Sequence, residues 1–312
     1  MLINKTTPES PVKLYRSTCL LCRGTDHVFV LTSPRLDGPM LRCANCQFHF
    51  VSAGGTEDHR GPVSDEMERL ANRAAELHLV EKSVEEAERP WREFMARERL
   101  EDLQRFIDRG KLLEIGCSTG EFLLAARERF EACSGIEADV NAVQRARSRG
   151  LDCHAGAIAD ASLPAESFDV AVLYHVIEHF RDPRRELREL YRLVRPGGHL
   201  IIETPDVETI WFRILGARWR QIIPDHLFFF SRTTLDRMLA EEGFEVTEVR
   251  HVGKSMSLRL FLSRIGRYSK SIARLASLMV RIARLEESTL RLNLHDVIRV
   301  HAVKSSTLDR RD

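Results

Sequence analysis

The chain has 312 residues and a formal net charge of +1, with 30% charged and 43% hydrophobic residues. This length fits one large domain plus a small one. A nearly neutral chain has no overall attraction to nucleic acid or to an acidic membrane, so such a partner would have to meet a local patch. The sequence has neither a bilayer-spanning apolar run nor the apolar core of a signal peptide, which predicts a cytoplasmic protein.

Four cysteines near the N-terminus form two CxxC pairs, Cys19 with Cys22 and Cys43 with Cys46. In a chain without an export signal, this spacing is typical of a metal site rather than of disulfides. Two cysteine knuckles complete the tetrahedron that Zn²⁺ prefers, and they leave no open position. We therefore predict a zinc ribbon with a structural zinc ion over residues 13–52. The alternative is four reduced thiols without a ligand.

Residues 53–110 are predicted to form a linker and N-terminal helices, because glycine and proline punctuate the start and helical spacing follows up to Gly110. From residue 111 to residue 312, strands alternate with helices. This alternation predicts an α/β domain with a doubly wound, mostly parallel seven-stranded sheet. The predicted strands are Lys111–Gly116, Ala132–Glu137, Leu151–Ala155, Phe168–Tyr174, His199–Glu203, Phe244–His251 and Val297–Val303. The predicted helices among them are Phe122–Glu131, Val140–Arg149 and Pro183–Leu193.

A glycine-containing turn follows the first predicted strand of this domain. It lies in Leu112–Gly120, which reads Leu-Leu-Glu-Ile-Gly-Cys-Ser-Thr-Gly. Glycines let the backbone approach a ligand, the next helix offers free N–H groups, and ligands of open α/β sheets lie beyond the carboxyl ends of strands. Glu137 ends the second strand, where a carboxylate can accept ribose hydroxyls. The turn lacks both GxGxxG and GK[ST], which disfavours a dinucleotide or P-loop site.

The segment Leu113–Gly120 resembles the first motif of class I S-adenosylmethionine (SAM)-dependent methyltransferases. Residues 163–179 are similar to the fourth-strand segment of that family, and residues 193–200 are similar to its turn into strand five. The resemblance covers roughly residues 110–250 in the family's order. It implies a Rossmann-like methyltransferase that binds SAM. The residues that the resemblance assigns to the cofactor are Glu114, Gly116, Cys117, Ser118, Gly120, Glu137, Ala138, Ala157 and Tyr174.

A zinc ribbon ahead of a SAM domain resembles a group of bacterial methyltransferases of glycan and antibiotic-sugar biosynthesis. In this chain Gln47 stands where that group usually has glycine. The resemblance implies a small-molecule acceptor: a glycan, a nucleotide- or lipid-linked sugar, or a related lipid. One alternative is an RNA 2′-O-methyltransferase, which the near-zero net charge disfavours. Another is a non-catalytic SAM-domain scaffold that binds a partner through its ribbon.

Two histidines are candidates for catalysis. A hydroxyl nucleophile needs a positioned base, and we take His226 as the first candidate and His175 as the second. Glu178, His179 and His226 also resemble the ligands of metal-dependent small-RNA 2′-O-methyltransferases and of some quinone O-methyltransferases, which implies a catalytic divalent metal. In the alternative, the Glu-His pair caps the following helix and packs against it.

Aromatic residues after the fifth strand have two interpretations. Trp211, Trp219 and the run Phe228–Phe230 either line the acceptor pocket or belong to the core.

A basic segment is predicted to interrupt the domain as a helical insertion over residues 258–290. Within residues 264–285, apolar and basic side chains repeat on opposite helix faces. This pattern predicts either peripheral contact with an anionic membrane, which would place the protein at the inner membrane surface, or a lid that packs on the domain or on a second subunit.

Overall fold

A computed structural model of the chain describes residues 18–52, 82–257, 274, 276, 278–281 and 289–305. The strands are β1 His27–Leu31, β2 Met40–Cys43, β3 His49–Val51, β4 Lys111–Ile115, β5 Ala132–Glu137, β6 Asp152–Ala155, β7 Phe168–Tyr174, β8 Val194–Pro205, β9 Phe228–Phe229, β10 Phe244–His251, β11 Lys254–Ser257, β12 Thr289–Leu292 and β13 Val297–Lys304. The α-helices are α1 Lys82–Leu103, α2 Glu121–Ala126, α3 Val140–Ser148, α4 Pro183–Leu193, α5 Ile210–Leu215 and α6 Arg232–Glu241.

The main sheet has seven strands in the order β6-β5-β4-β7-β8-β13-β10. The first five strands are parallel, and β13 runs antiparallel to both of its neighbours. Helices cover both faces, so the central strands are buried on both sides and consist of continuous apolar runs. In β4, for example, Leu112 and Leu113 point to opposite faces, and both are fully buried. The predicted mostly parallel seven-stranded sheet is confirmed.

The small N-terminal sheet is completed by the main domain. Strands β1, β2 and β3 form an antiparallel meander, and β9 pairs antiparallel with β3 as a fourth strand. Its residues Leu41 and Phe48 belong to the same hydrophobic cluster as Leu113 and Ile202 of the main sheet. The N-terminal strands therefore share a core with the α/β unit. The division of the chain into segments 13–52, 53–110 and 111–312 stays a prediction.

Several element boundaries differ from the sequence prediction, and one of the larger shifts is in β8, which begins at Val194 rather than at His199. Helix α1 ends at Leu103 rather than near Gly110, since the following turn places Phe106 against His301 of β13, with ring centroids 3.8 Å apart. Helix α2 ends at Ala126. Most of the predicted insertion 258–290 lies outside the described residues, but its last two residues belong to β12, which pairs with β11.

Among the described helices, none combines the length and the apolar character that crossing a bilayer requires.

Candidate functional site

The loop after β4 is tightly curled. Gly116, Ser118 and Gly120 all have positive φ angles, of 70°, 48° and 86°. A Cβ atom on Gly116 would lie 2.5 Å from Cγ2 of Val176, and one on Gly120 would clash with Leu151. Glycine is therefore required at both positions for space as well as for conformation. The loop ends where α2 begins, at the carboxyl edge of the parallel strands.

Glu137 fixes this loop to the neighbouring strand. It ends β5, and its Oε2 accepts a hydrogen bond from the backbone N of Ser118 at 2.9 Å, while Oε1 accepts from the backbone N of Asp139 at 3.0 Å. Burial raises the pKa of Glu137. A carboxylate in this position joins two loops and still offers lone pairs to a hydroxylated ligand.

Glu114 is a buried acid with an orphaned carboxylate oxygen. It lies in β4 and is 5% exposed, and within the described residues its Oε2 has no hydrogen-bond partner. Burial raises the pKa of Glu114, and the charge of Arg99 opposes that shift. An orphaned carboxylate oxygen costs free energy unless a donor or a cation reaches it. SAM carries positive charge on its sulfur and its amino group, so the site fits this cofactor.

Other residues assigned to the cofactor are already in contact with neighbouring residues of the protein. Tyr174 lies with its ring against Phe122, and the guanidinium of Arg99 lies 4.3 Å above the ring centroid. The Cys117 thiol is buried, with Sγ 3.8 Å from Sγ of Cys153. The backbone N of Ala157 donates to Asp160 Oδ2 at 3.1 Å. The Cys117 side chain is therefore core, which leaves only its backbone for a ligand at the loop.

A buried polar cluster follows β7. His175 has φ of 62°, with Nδ1 3.2 Å from Glu178 Oε1 and Nε2 3.3 Å from Glu203 Oε1. Glu178 also accepts a hydrogen bond from Thr204 Oγ1 at 2.9 Å. Burial alone would raise the pKa of Glu178, but the hydrogen bond from His175 lowers it to about 2. Glu178 is therefore an anion surrounded by imidazoles.

The side chains of Glu178, His179 and His226 come together, with their ligand atoms within 4.8 Å of one another. His179 Nδ1 donates to the carbonyl of Asp225 at 2.9 Å, which orients the ring and leaves Nε2 as the nitrogen available to a ligand. Burial lowers the pKa of His226 to about 3 and keeps that imidazole neutral. Two imidazoles and a carboxylate are a donor set that suits a divalent transition-metal ion.

One interpretation of the sequence expected the Glu178-His179 pair to cap the following helix, but the pair does not cap it. The cap of α4 is Asp182, whose Oδ1 accepts a hydrogen bond from the backbone N of Arg185 at 3.0 Å.

His226 is held in place by the N-terminal sheet. The next residue, Leu227, donates its backbone N–H to the carbonyl of Glu178 and accepts a hydrogen bond from the backbone N of Val51, both at 2.9 Å. Phe228 of β9 stacks on Phe48, with centroids 5.6 Å apart. The aromatic run 228–230 therefore belongs to the core. Trp219 is also buried, whereas Trp211 is 37% exposed.

The four N-terminal thiols form one cluster. Cys19 Sγ lies 3.5 Å from Cys46 Sγ, and Cys22 Sγ lies 3.5 Å from Cys43 Sγ. Sulfur atoms around a tetrahedral zinc ion are about 3.8 Å apart, so the four donors fit this ion. Burial raises the pKa of Cys19 to about 11, so a cation is needed to hold it as a thiolate at neutral pH.

Each knuckle ends in a left-handed residue, Arg23 with φ of 60° and Gln47 with φ of 64°. This conformation explains why glycine would suit position 47.

Sequence reasoning missed a buried ionic network behind His175. Glu203 is 1% exposed and accepts hydrogen bonds from Arg99 Nη2 at 2.8 Å and from Arg299 Nε at 3.0 Å. Part of the signal was present, because Glu203 directly follows the apolar run Leu200–Ile202, and Arg299 lies between Ile298 and Val300. Such charges are rarely buried without a partner.

Comparison with known proteins agrees with this geometry. The family model described as a methyltransferase domain matches residues 84–249, slightly more than half of the chain. The chain therefore belongs to the methyltransferase-domain family.

The chain is 30% identical over 139 residues to a probable S-adenosylmethionine-dependent methyltransferase of Mycolicibacterium smegmatis, covering 44% of this chain and 52% of the relative. It is 29% identical over 147 residues to the ubiquinone biosynthesis O-methyltransferase of Alkalilimnicola ehrlichii, covering 42% and 59%. The match therefore spans little more than half the length of these curated relatives. A SAM-dependent methyltransferase from Archaeoglobus fulgidus shares the fold, with a TM-score of 0.50 and 18% identity, covering 72% of this chain and all of that one.

Proposed function

We propose that the protein is a SAM-dependent methyltransferase that acts on a small-molecule acceptor. When bound, SAM supplies a methyl group on a positively charged sulfur. The observation that carries the proposal is the orphaned carboxylate oxygen of Glu114, buried beside the curled loop Gly116–Gly120 at the ligand-binding edge of the sheet. The names of relatives that share the domain support this assignment.

Different residues would contact different parts of the cofactor. The carboxylate of Glu137 would accept ribose hydroxyls, and Glu114 would balance the positive charge of the methionine part. Backbone atoms of Gly116, Cys117, Ser118 and Gly120 would contact the cofactor at the loop, with Ala138 beside them, while Ala157 would lie by the adenine and Tyr174 would line the methionine pocket. Glu114 and Glu137 would contribute most to the affinity for SAM, because hydrogen bonds to charged groups are stronger than those between neutral groups.

We further propose that His226 is a metal ligand rather than the general base. An imidazole with a pKa of about 3 is a weak proton acceptor near neutral pH, whereas a neutral imidazole is a good ligand. Together with Glu178 and His179, it would hold a divalent cation that lowers the pKa of an acceptor hydroxyl. His175, which lies between Glu178 and Glu203 and is 21% exposed, then becomes the first candidate for the base.

The Cys19, Cys22, Cys43 and Cys46 cluster would hold a structural zinc ion. Four thiolates leave no open coordination position for chemistry, and a module this small needs a metal to fold. The expected content is one zinc ion per chain by elemental analysis, and it would be lost on replacement of any of the four cysteines.

For the acceptor we propose a glycan, a nucleotide- or lipid-linked sugar, or a related lipid, met on the cytoplasmic side of the membrane. One of the relatives is a ubiquinone biosynthesis O-methyltransferase, and this similarity supports a lipid-like acceptor. The N-terminal cysteine cluster supports a sugar, through the resemblance noted above.

Two measurements test the proposed function. Calorimetric titration should give saturable SAM binding, and incubation of SAM with nucleotide-linked and lipid-linked sugars should release S-adenosylhomocysteine. A protein that binds no SAM is not a methyltransferase, and the scaffold alternative would take its place. SAM binding with turnover on RNA but on no small molecule would overturn the acceptor class.

A further inference from the structure

Four large apolar side chains are open to solvent near the ligand-binding edge of the sheet. Helix α5 follows the carboxyl end of β8, and on it Ile210 is 61% exposed, Trp211 37% and Ile214 66%. Leu294 is 37% exposed, and its carbonyl accepts a hydrogen bond from Trp211 Nε1 at 2.7 Å. We call these four side chains the α5 surface.

The α5 surface is the outer face of an anchored helix. Positions 210, 211 and 214 fall within an arc of about 100° on a helix, so they face outward together. On the other side, Phe212 and Leu215 pack against a cluster that includes Trp219. Thr209 caps the helix through its Oγ1, which accepts a hydrogen bond from the backbone N of Trp211 at 3.4 Å. A contiguous exposed apolar patch on such a helix marks an interaction site.

Cations flank the α5 surface. The stretch from residue 209 to residue 220 contains three arginines and no acidic residue. Arg220 is bound to Asp296, with both contacts at 2.7 Å. Arg213 and Arg218 are exposed, and neither guanidinium forms an ion pair within the part of the chain that the structure describes. An apolar face flanked by unneutralised arginines complements a surface that is apolar inside and anionic outside.

One member of the α5 surface, Leu294, is close in sequence to a strongly basic stretch of the chain. Leu294 lies two residues after β12, whose Leu292 pairs with Lys254 of β11. These two strands lead into the segment 258–285, which contains seven cations and no acidic residue in its sequence. The cations are Arg259, Arg264, Arg267, Lys270, Arg274, Arg281 and Arg284.

We propose that the α5 surface docks the protein on an anionic lipid bilayer, with Ile210, Trp211 and Ile214 among the headgroups. Tryptophan prefers this interfacial depth because its ring is apolar and its N–H is polar. Docking here would turn the carboxyl edge of the main sheet toward the membrane. This inference goes beyond the proposed function, since it holds for any acceptor that a bilayer delivers.

Sedimentation of the full chain with vesicles tests the proposal. The vesicles contain equal parts of phosphatidylglycerol and phosphatidylcholine, and vesicles of phosphatidylcholine alone serve as the neutral comparison. We expect the wild type to sediment with the anionic vesicles, and Ile214→Glu to bind about tenfold more weakly. The matched control is Val140→Glu, because Val140 is 51% exposed on α3 and the change adds the same charge. This control should bind like the wild type.

Three results would overturn the proposal: wild type that stays in the supernatant, Ile214→Glu that binds as tightly as wild type, or a dimer in solution that Ile214→Glu dissociates. The last result would mean that a second copy covers the α5 surface. Ile210→Glu provides a second variant on the same face, should the first unfold. A SAM titration of the same samples keeps the two hypotheses apart, since absent SAM binding refutes the methyltransferase without changing the vesicle result.

Discussion

Glu137 joins the loop Gly116–Gly120 to the neighbouring strand through its side chain. We predict that Glu137→Gln weakens SAM binding about 10- to 100-fold, because hydrogen bonds to a charged group contribute about 1.5–3 kcal/mol. Calorimetric titration with SAM measures the change. Glu131→Gln, which changes an exposed acid just before β5, is the matched control and should bind SAM like the wild type. Equal affinity in both variants would remove Glu137 from the site.

The assignment of His179 makes a separate prediction. If its Nε2 is a metal ligand, His179→Ala should lower the affinity for Mn²⁺ or Zn²⁺ about 100-fold or more and reduce turnover to the level seen with chelator. His154→Gln, in a half-buried histidine of β6, is the control. Turnover that is insensitive to both His179→Ala and chelator would show that the site acts without a metal.

Part of this site could be predicted at the level of residues. Glu178 and His179 come within five residues of the end of a buried parallel strand, and such strand ends converge at one edge of a sheet, so their position was readable from the sequence. The burial of His226 was not readable, because it depends on the pairing of β9 with β3. The pairing of Glu203 with Arg299 was also not readable, since a charged residue beside apolar strand residues signals a buried partner without identifying it.

At the scale of elements, strands β3 and β9 connect the four-cysteine cluster to the candidate active site. We predict that Cys43→Ser abolishes zinc binding and lowers turnover far more than it lowers SAM affinity. The physical reason is that β3 holds β9, and β9 directly follows the segment that carries His226. Zinc content, thermal unfolding and SAM titration measure the three effects. Cys133→Ser, a thiol of β5 outside the cluster, should leave zinc content unchanged. A proportional loss of SAM affinity would argue for general unfolding instead.

Most elements of the main sheet were predictable within a few residues, because apolar runs of strand length alternate with helical spacing. Strand β9 could not be predicted from its two residues, Phe228 and Phe229, since so short a run has no periodicity. Strands β11 and β12 were missed for a related reason. They form because the two ends of the insertion pair with each other, and this long-range pairing cannot be read from a local sequence pattern.

For the whole molecule, buried neutral histidines predict acid sensitivity. Burial lowers the pKa of His226 to about 3, and burial with the charge of His199 lowers that of His301 to about 4. Both folded-state values lie below the unfolded value of about 6.5, so the stabilisation is complete above about pH 6.5 and is lost as pH falls toward 4. Each of these two histidines should lower the free energy of unfolding by about 1.4 kcal/mol for each pH unit in this window.

Urea unfolding at pH 7 and pH 5, with chelator present, measures this loss. His301→Gln should lose less stability between the two pH values than the wild type does, because one proton uptake is removed. His154→Gln should keep the wild-type slope. A variant at His301 with an unchanged slope would mean that the imidazole is not buried in its neutral form.

Because β9 completes the N-terminal sheet, the strands of this sheet must come together in a fixed order. His49 pairs with Phe229, so strand β3 must wait for roughly 180 further residues before its last neighbour exists. A nascent chain can close its cysteine knuckles early, but the edge of β3 stays open to other strands until the main sheet has formed. Zinc added to a refolding chain should therefore bind well before SAM does. The interval between the two events is when the protein is most exposed to misassembly.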